Sequence, residues 1–420
     1  MVKVLKTKVE IEGRVHEEVV VIDGELPPPW DSKAELEIVG QPVPRVDGAE
    51  RVTGQARYTS DIQLPGLLHA RILRSPYPHA RVKSVDISAA EALPGVRAIV
   101  YGGNTPPIKW YRASFLFDST LRHVGDEVAA VAADSLEIAS DALRLIKVEY
   151  EVLPHITDEQ QASDGAAPPV WVDEPRNVIG GEPEVYKRGD VDKAFKDADY
   201  VVQATFCTPT ALHNCLETHG SVAQWEGDNL TIWDSTQHIF GVRQRVAERL
   251  GLALNQVRVI KHYMGGGFGS KGGAGKYTVI AALLARKAGR PVKLMLNRTE
   301  ENLVTGNRDS TVQHIAGAVK KDGTLLALKL ICYANSGAYG GGGMPIAGPV
   351  QEMYRCVNVY TESWSLYTNL GRHSAFRAPG FVEGNFALES LIDMLAEKVK
   401  MDPLEFRKKN YAERDPKGNL

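Results

Sequence analysis

The sequence is short of the features that most readily betray a chemistry. It has four cysteines, Cys207, Cys215, Cys332 and Cys356. No two form a C-x-x-C pair, which excludes zinc-ribbon and iron–sulfur spacings. Thiols of this kind are expected to be mostly buried and reduced, as in the cytoplasm. An excess of charge is also missing: 49 Lys and Arg stand against 52 Asp and Glu, a formal net charge of −3, so nothing indicates a nucleic-acid surface. No apolar run is long enough to span a bilayer. The opening MVKVLKTKVEIEG alternates charged and β-branched residues without an apolar core, so no signal peptide is read there. His213 and His219 flank Glu217, but H-x-x-x-E-x-H is not the helical H-E-x-x-H of a zinc site. Glu217 reads instead as an anchor that hydrogen-bonds its own loop.

What is present is a globular chain of 420 residues with 43% apolar residues, too long for one core, so two or three domains are expected. Met1 to Ile22 read as a charged β-hairpin, and Pro27-Pro28-Pro29-Trp30 as a break, making residues 1–40 an N-terminal arm. Residues 41–153 read as an α+β domain with strands LLHARIL, RAIVYG and DEVAAVAA and a helix from Ser135 to Arg144. A polar, proline-rich connector is expected over 154–184. Residues 185–420 alternate long strands with helices at Ile239–Leu250, Tyr277–Ala288 and Val382–Lys398. Glu389 on the last of these reads as a solvated or capping carboxylate. The long strands and glycine-rich turns differ from a compact Rossmann domain.

The most informative stretch is VRVIKHYMGGGFGS, Val257 to Ser270. A β-rich run ends in Gly265-Gly266-Gly267, then Phe268 and Gly269. Without Cβ atoms such a run can approach a ligand and turn its N–H groups toward an anionic or oxo-rich group. Gly267 to Gly272 formally matches the dinucleotide code G-x-G-x-x-G, so an NAD-dependent oxidoreductase is one reading. The acidic residue expected about 20 residues on is missing, however. The P-loop code fails, with Ser270 where its first glycine belongs and Tyr277 where Ser or Thr should stand. Two further segments lie at strand ends: Asp234-Ser235-Thr236-Gln237, and Ser374-Ala375-Phe376-Arg377-Ala378-Pro379-Gly380. Together the three supply an amide, a set of backbone donors and a guanidinium, which suits an oxo-anionic cofactor bearing phosphate.

With these segments in place, the chain resembles the molybdenum-cofactor-binding subunit of the xanthine dehydrogenase and aldehyde oxidase family. The resemblance runs from about Pro42 onward and rests on PRVDGAERVTGQARYTSDI, SPYPHARV, VGDEVAAVAADS, LHNCLETHGSVAQWEG, STQ, MGGGFGSK, SGAYG and SAFRAPG, in family order. It implies an α/β hammerhead-like domain followed by the first part of a large β-rich molybdopterin-binding region. It implies a cofactor, molybdopterin or its cytosine dinucleotide, held by Gln237, by Gly266, Gly267, Phe268 and Gly269, and by Ala375, Phe376 and Arg377. No protein side chain need be a metal ligand. Gln237 would bond an oxygen near the metal and is the catalytic residue expected on this chain. The implied activity is oxidation of an N-heteroaromatic, nicotinate- or purine-like, or of an aldehyde with water as oxygen source, electrons passing to partner subunits that carry [2Fe-2S] and FAD.

The departures carry equal weight. The family's purine enzymes have a glutamate where this chain has Gly272, an arginine near the position of Pro345, and an aromatic where Pro379 stands. Xanthine itself is therefore not the expected substrate. No G-x-G-E, the motif of the family's catalytic glutamate, occurs. The base is expected on a partner chain, the second half of a molybdenum subunit split as in nicotinate dehydrogenase. The alternative outside enzymology is a catalytically empty scaffold subunit.

Overall fold

The computed structural model of the protein describes residues 3–11, 14–22, 30–31 and 33–413. Lys3–Ile11 and Arg14–Ile22 form the expected hairpin, paired antiparallel from Lys3 opposite Ile22 to Ile11 opposite Arg14. The Pro27–Pro29 break lies outside the described residues.

Seven strands form the first large sheet, in the order Val257–Ile260, Asn229–Asp234, Gly220–Glu226, Val292–Met295, Leu68–Arg74, Glu127–Ala133, Val96–Tyr101. The last three come from the region read as the first domain, the first four from the region after the connector. The two groups meet where Val292 and Lys293 pair in parallel with Leu68 and His69. The strand EVAAVAA is buried at every position because both its faces are covered. Ala129 and Val131 pack toward Ala142 of the helix Leu136–Leu145. Ala130 and Ala132 belong to the core of the helix Lys276–Ala288 on the other side. The helix expected from Ser135 starts one residue later, since the Ser135 side chain is its N-cap and accepts the Ile138 N–H at 3.3 Å.

The second sheet has five strands, ordered Tyr200–Thr208, Thr311–Val319, Leu325–Asn335, Asn358–Leu366, Glu184–Arg188. The helix Phe381–Lys398 lies on it. Leu388, Leu391, Ile392 and Leu395 fall on one stripe of that helix and bury against Ile315, Leu328 and Leu330. Glu389 is half-buried and paired instead of free in solvent or capping. It accepts the Tyr354 hydroxyl and the Arg407 guanidinium, both at 2.7 Å, and so clamps the helix Pro403–Asn410 onto its neighbour. The expected polar connector also carries a buried anchor. Val170 and Trp171 pack with Ala338, Tyr339 and Tyr367, and the Trp171 indole donates to the Ala338 carbonyl at 2.8 Å.

Candidate cofactor site

The three singled-out segments converge between the two sheets. Asn229–Asp234 and Val257–Ile260 run parallel in the first sheet, so both chain exits open at the same end. The segment of Ser374 to Gly380 arrives from Asn358–Leu366 of the second sheet. The strand expected through Met264 stops at Ile260, where pairing with Trp233 ends, and Lys261 to Met264 lead away from the sheet.

Glycine is required in the loop by close approach. A Cβ on Gly269 would stand 2.1 Å from the Ala375 carbonyl oxygen, and its φ is +115°. A Cβ on Gly267 would stand 2.7 Å from Gln237 Oε1. Phe268 itself takes a left-handed φ of +53° and keeps its ring 45% exposed. Non-glycine residues hold such a conformation only where the surroundings over-determine it, and here they do. The Arg377 N–H donates to the Phe268 carbonyl at 2.9 Å, and the Gly269 N–H donates to Gln237 Oε1 at 2.8 Å.

The second bond decides what Gln237 offers. Its oxygen is committed to the loop, so the amide Nε2 is the end left to face outward on an exposed side chain. Beside it, the N–H groups of Gly266, Gly267 and Phe268 make no hydrogen bond among the described residues. The Arg377 guanidinium is exposed and likewise has no partner among them. An amide N–H₂, three consecutive backbone donors and a free guanidinium thus gather around one cradle. This donor set fits an oxo-rich anion that also carries phosphate.

Beneath the cradle, Glu217 is the anchor its sequence position suggested. It accepts the N–H of Gly265 at 2.7 Å and of Thr59 at 3.1 Å, and the hydroxyl of Ser235 at 2.8 Å. Sequence reasoning assigned no role to Lys271, which is fully buried. Its Nζ donates to the Glu217 carbonyl at 2.8 Å and to Ser235 Oγ at 2.7 Å, and sits 3.7 Å from the Glu217 carboxylate. Burial lowers the pKa of this lysine, and the nearby Glu217 charge opposes that. Arg308 was missed as well. Its guanidinium gathers the carbonyls of Phe376, Arg377 and Ala378 while pairing with Glu383 at 2.9 Å. No local pattern in the sequence reveals it, because its partners lie some 70 residues away. His213 completes the turn: its ring lies 4.4 Å from that of Phe376, and Nε2 meets the Ala375 carbonyl at 2.8 Å. A carbonyl only accepts, so Nε2 carries the hydrogen, and burial favours this neutral imidazole by lowering its pKa. His219 turns elsewhere, its Nδ1 bonding Glu301 at 2.8 Å.

The dinucleotide reading meets a geometric obstacle. The helix after the glycines begins at Lys276, with Gly273, Ala274 and Gly275 between it and Gly272. The fingerprint glycines therefore do not open the helix, as a pyrophosphate site requires.

Comparison with known families decides between the readings. The family model of the molybdopterin cofactor-binding domain matches residues 171–411. That of the aldehyde oxidase and xanthine dehydrogenase a/b hammerhead domain matches residues 53–154. The chain belongs to the molybdopterin-binding family of the aldehyde oxidases and xanthine dehydrogenases. Within this molybdopterin-binding family, it is 33% identical to a probable hypoxanthine oxidase of Escherichia coli K12, over 90% of this chain and 44% of that protein. It is 31% identical to the nicotinate dehydrogenase large molybdopterin subunit of Eubacterium barkeri, over 89% of each. Among solved structures, quinoline 2-oxidoreductase of Pseudomonas putida 86 superposes with a TM-score of 0.82 at 31% identity, over 88% of this chain and 49% of that one. Aldehyde oxidoreductase of Desulfovibrio gigas superposes with a TM-score of 0.81 at 28% identity, over 90% and 44%. The chain thus spans about half the length of several of these relatives and nearly all of the nicotinate dehydrogenase subunit. Among the described residues no helix is long and apolar enough to cross a membrane.

Proposed function

We propose that this chain is the first half of the molybdenum-binding unit of a multi-subunit hydroxylase acting on an N-heteroaromatic or an aldehyde. The observation that carries the reading is the Gln237–Gly269 bond, which turns the amide Nε2 outward beside three unpaired N–H groups. When bound, the molybdenum–pterin group supplies a two-electron oxidation with water as the oxygen source. The chain positions and tunes it. Gln237 Nε2 would donate to an oxygen of the group, and Gly266, Gly267 and Phe268 would offer their N–H groups, with Gly269 fixing the loop. Ala375 and Phe376 form the facing turn, and Arg377 would pair with the cofactor's phosphate. Donors fixed before reaction stabilise developing negative charge without reorganisation.

The region that the longer relatives have and this chain does not match would supply the remaining contacts and the catalytic glutamate. An iron–sulfur subunit and an FAD subunit would carry electrons away. The four cysteines are all unpaired, which supports a cytoplasmic setting. The proposed division is an arm at 1–40, a hammerhead-like unit at 41–153, a connector at 154–184 and the cofactor region from 185. Lack of charge at two positions argues against xanthine itself. Gly272 has no side chain, and Pro345 packs against Gly380, where a Cβ would come within 2.8 Å of the Pro345 nitrogen.

The test is Gln237→Glu in the assembled complex. Glutamate keeps an oxygen for the Gly269 N–H and removes the outward donor. Turnover should fall on the order of 10²-fold, while molybdenum measured by plasma mass spectrometry stays close to the wild-type level. Loss of metal in proportion to activity would make Gln237 a structural anchor alone.

A further inference from the structure

Behind the cradle lies a second feature, a cavity of about 290 Å³ between the two sheets. Gly269 and Ala375, which belong to the cradle, also line it. Its remaining walls come from both expected domains and include Tyr111, Tyr339, Arg372 and Ser374.

Two acids line the cavity, and both are already neutralised. Asp126 takes the Arg122 N–H at 2.6 Å and the Tyr339 hydroxyl at 2.7 Å, and stands 3.2 Å from the His123 ring. Glu127 is held by Lys276 at 2.7 Å and by Arg74 at 3.1 Å. The cations tell the opposite story. Arg372 and Arg245 also face the cavity, and neither has an acidic partner or a hydrogen bond among the described residues. Arg372 is not a surface side chain free to wander. Its guanidinium lies 5.2 Å from the centre of the Tyr111 ring. Its backbone is held on the C-terminal side, where the His373 N–H reaches the Ser336 carbonyl at 3.2 Å and the Ser374 N–H reaches Asn307 at 2.8 Å.

Four side-chain atoms on this cavity are buried without a hydrogen bond among the described residues: Arg372 Nε, Ser374 Oγ, His219 Nε2 and Asp126 Oδ1, the last facing the His123 ring at 3.2 Å. Buried polar atoms are almost always hydrogen-bonded. The first two, on residues 372 and 374 with no acid paired to either among the described residues, mark a place where a ligand completes the bonding. A planar guanidinium edge beside a hydroxyl matches the two oxygens of a carboxylate.

We propose that this cavity binds a small organic carboxylate, with its anionic end on Arg372 and Ser374. For the ligand's part in catalysis the proposal rests on the functional reading above: a carboxylate seated in a cavity that shares Gly269 and Ala375 with the cradle is the substrate-side group, and Arg372 sets the preference for an anionic substrate. Binding itself requires no molybdenum and can be read without it.

The experiment is titration calorimetry on the full chain at fixed ionic strength, with benzoate, its neutral isostere benzamide, and inorganic phosphate. Benzoate should bind at least tenfold more tightly than benzamide. Arg372→Gln should abolish that preference and leave the affinity for benzamide unchanged, and Arg372→Lys should restore part of it. Ser374→Ala, a milder change, should weaken benzoate several-fold and guards against a folding defect in the arginine variants. Equal binding of benzoate and benzamide by the wild type, or a preference that survives Arg372→Gln, would overturn the proposal and leave the cavity to water. Phosphate binding more tightly than benzoate would overturn it too, assigning the cations to a phosphate group. The molybdenum content of the assembled complex is measured separately. A chain that discriminates benzoate yet never acquires the metal refutes the functional reading and not this site.

Discussion

Replacing Gly269 by alanine should be the most disruptive one-carbon change in the molecule's cofactor region. The added Cβ would stand 2.1 Å from the Ala375 carbonyl oxygen, and contacts below 3.0 Å are not tolerated, so one loop must move by about 0.9 Å. Neither loop is free to do so. Ala375 O accepts from His213 at 2.8 Å, the following carbonyls are gathered by Arg308, and the Arg377 N–H holds Phe268 O at 2.9 Å. Alanine at a φ of +115° also carries backbone strain, about 1–3 kcal/mol. Each hydrogen bond lost in the adjustment adds about 1 kcal/mol. The expected destabilisation is on the order of 2–5 kcal/mol, and a displacement near 1 Å at a reacting centre can cost about 10²-fold in rate. The internal control is Gly273→Ala, four residues on, where φ is not positive and nothing lies within 4 Å of the new carbon. That variant should stay within about 0.5 kcal/mol of wild type. The assay is urea denaturation of both variants beside wild type, followed by molybdenum content and turnover of the assembled complexes. If the two variants prove equally stable, the close contact between the glycine loop and the Ala375 turn is wrong.

Two further outcomes follow from the buried charges beneath the cradle. Glu217→Ala should cost about 3–5 kcal/mol because it strands the buried Lys271, whereas Glu217→Ala combined with Lys271→Met should recover at least half of that loss by urea denaturation; additive losses would show that the two are not coupled. Burial pushes the Asp234 carboxyl from 3.8 up to about 6, against the hydroxyls of Ser221 and Thr278 that hydrogen-bond it. A carboxyl raised in the folded state stabilises fully below its unfolded pKa, and that contribution is lost as pH rises through 6. Wild type should therefore lose on the order of 3 kcal/mol relative to Asp234→Asn between about pH 4 and pH 8. A stability difference that is flat across that range, followed by denaturant midpoints, would place the charged carboxylate in a better-solvated setting.

The residues of the cradle were legible in the sequence because each segment is short and its chemistry local. Gly265 to Gly269 read as a close-approach loop without reference to anything distant. The helices at Ile239–Leu250 and Phe381–Lys398 were visible, to within a residue, from their apolar spacing. The hairpin at the N-terminus was visible from its alternation and its turn. Glu217 was recognised as an anchor, though its partners were not. What the tertiary structure alone decided is whatever depends on residues far apart in the chain. The joining of both expected domains in one sheet rests on two residue pairs, Val292 with Leu68 and Lys293 with His69, which no local periodicity announces. Trp171 looked like part of a polar connector because composition averages over neighbours, and one buried indole does not change an average. Lys271 and Arg308 carry ordinary surface-residue chemistry in the sequence. They become structural only when folding removes water from their surroundings and leaves carbonyls and carboxylates as their remaining partners. The orientation of Gln237 belongs to the same class. Its identity is a property of the chain, but which end of the amide faces outward is settled by a hydrogen bond to Gly269, 32 residues away.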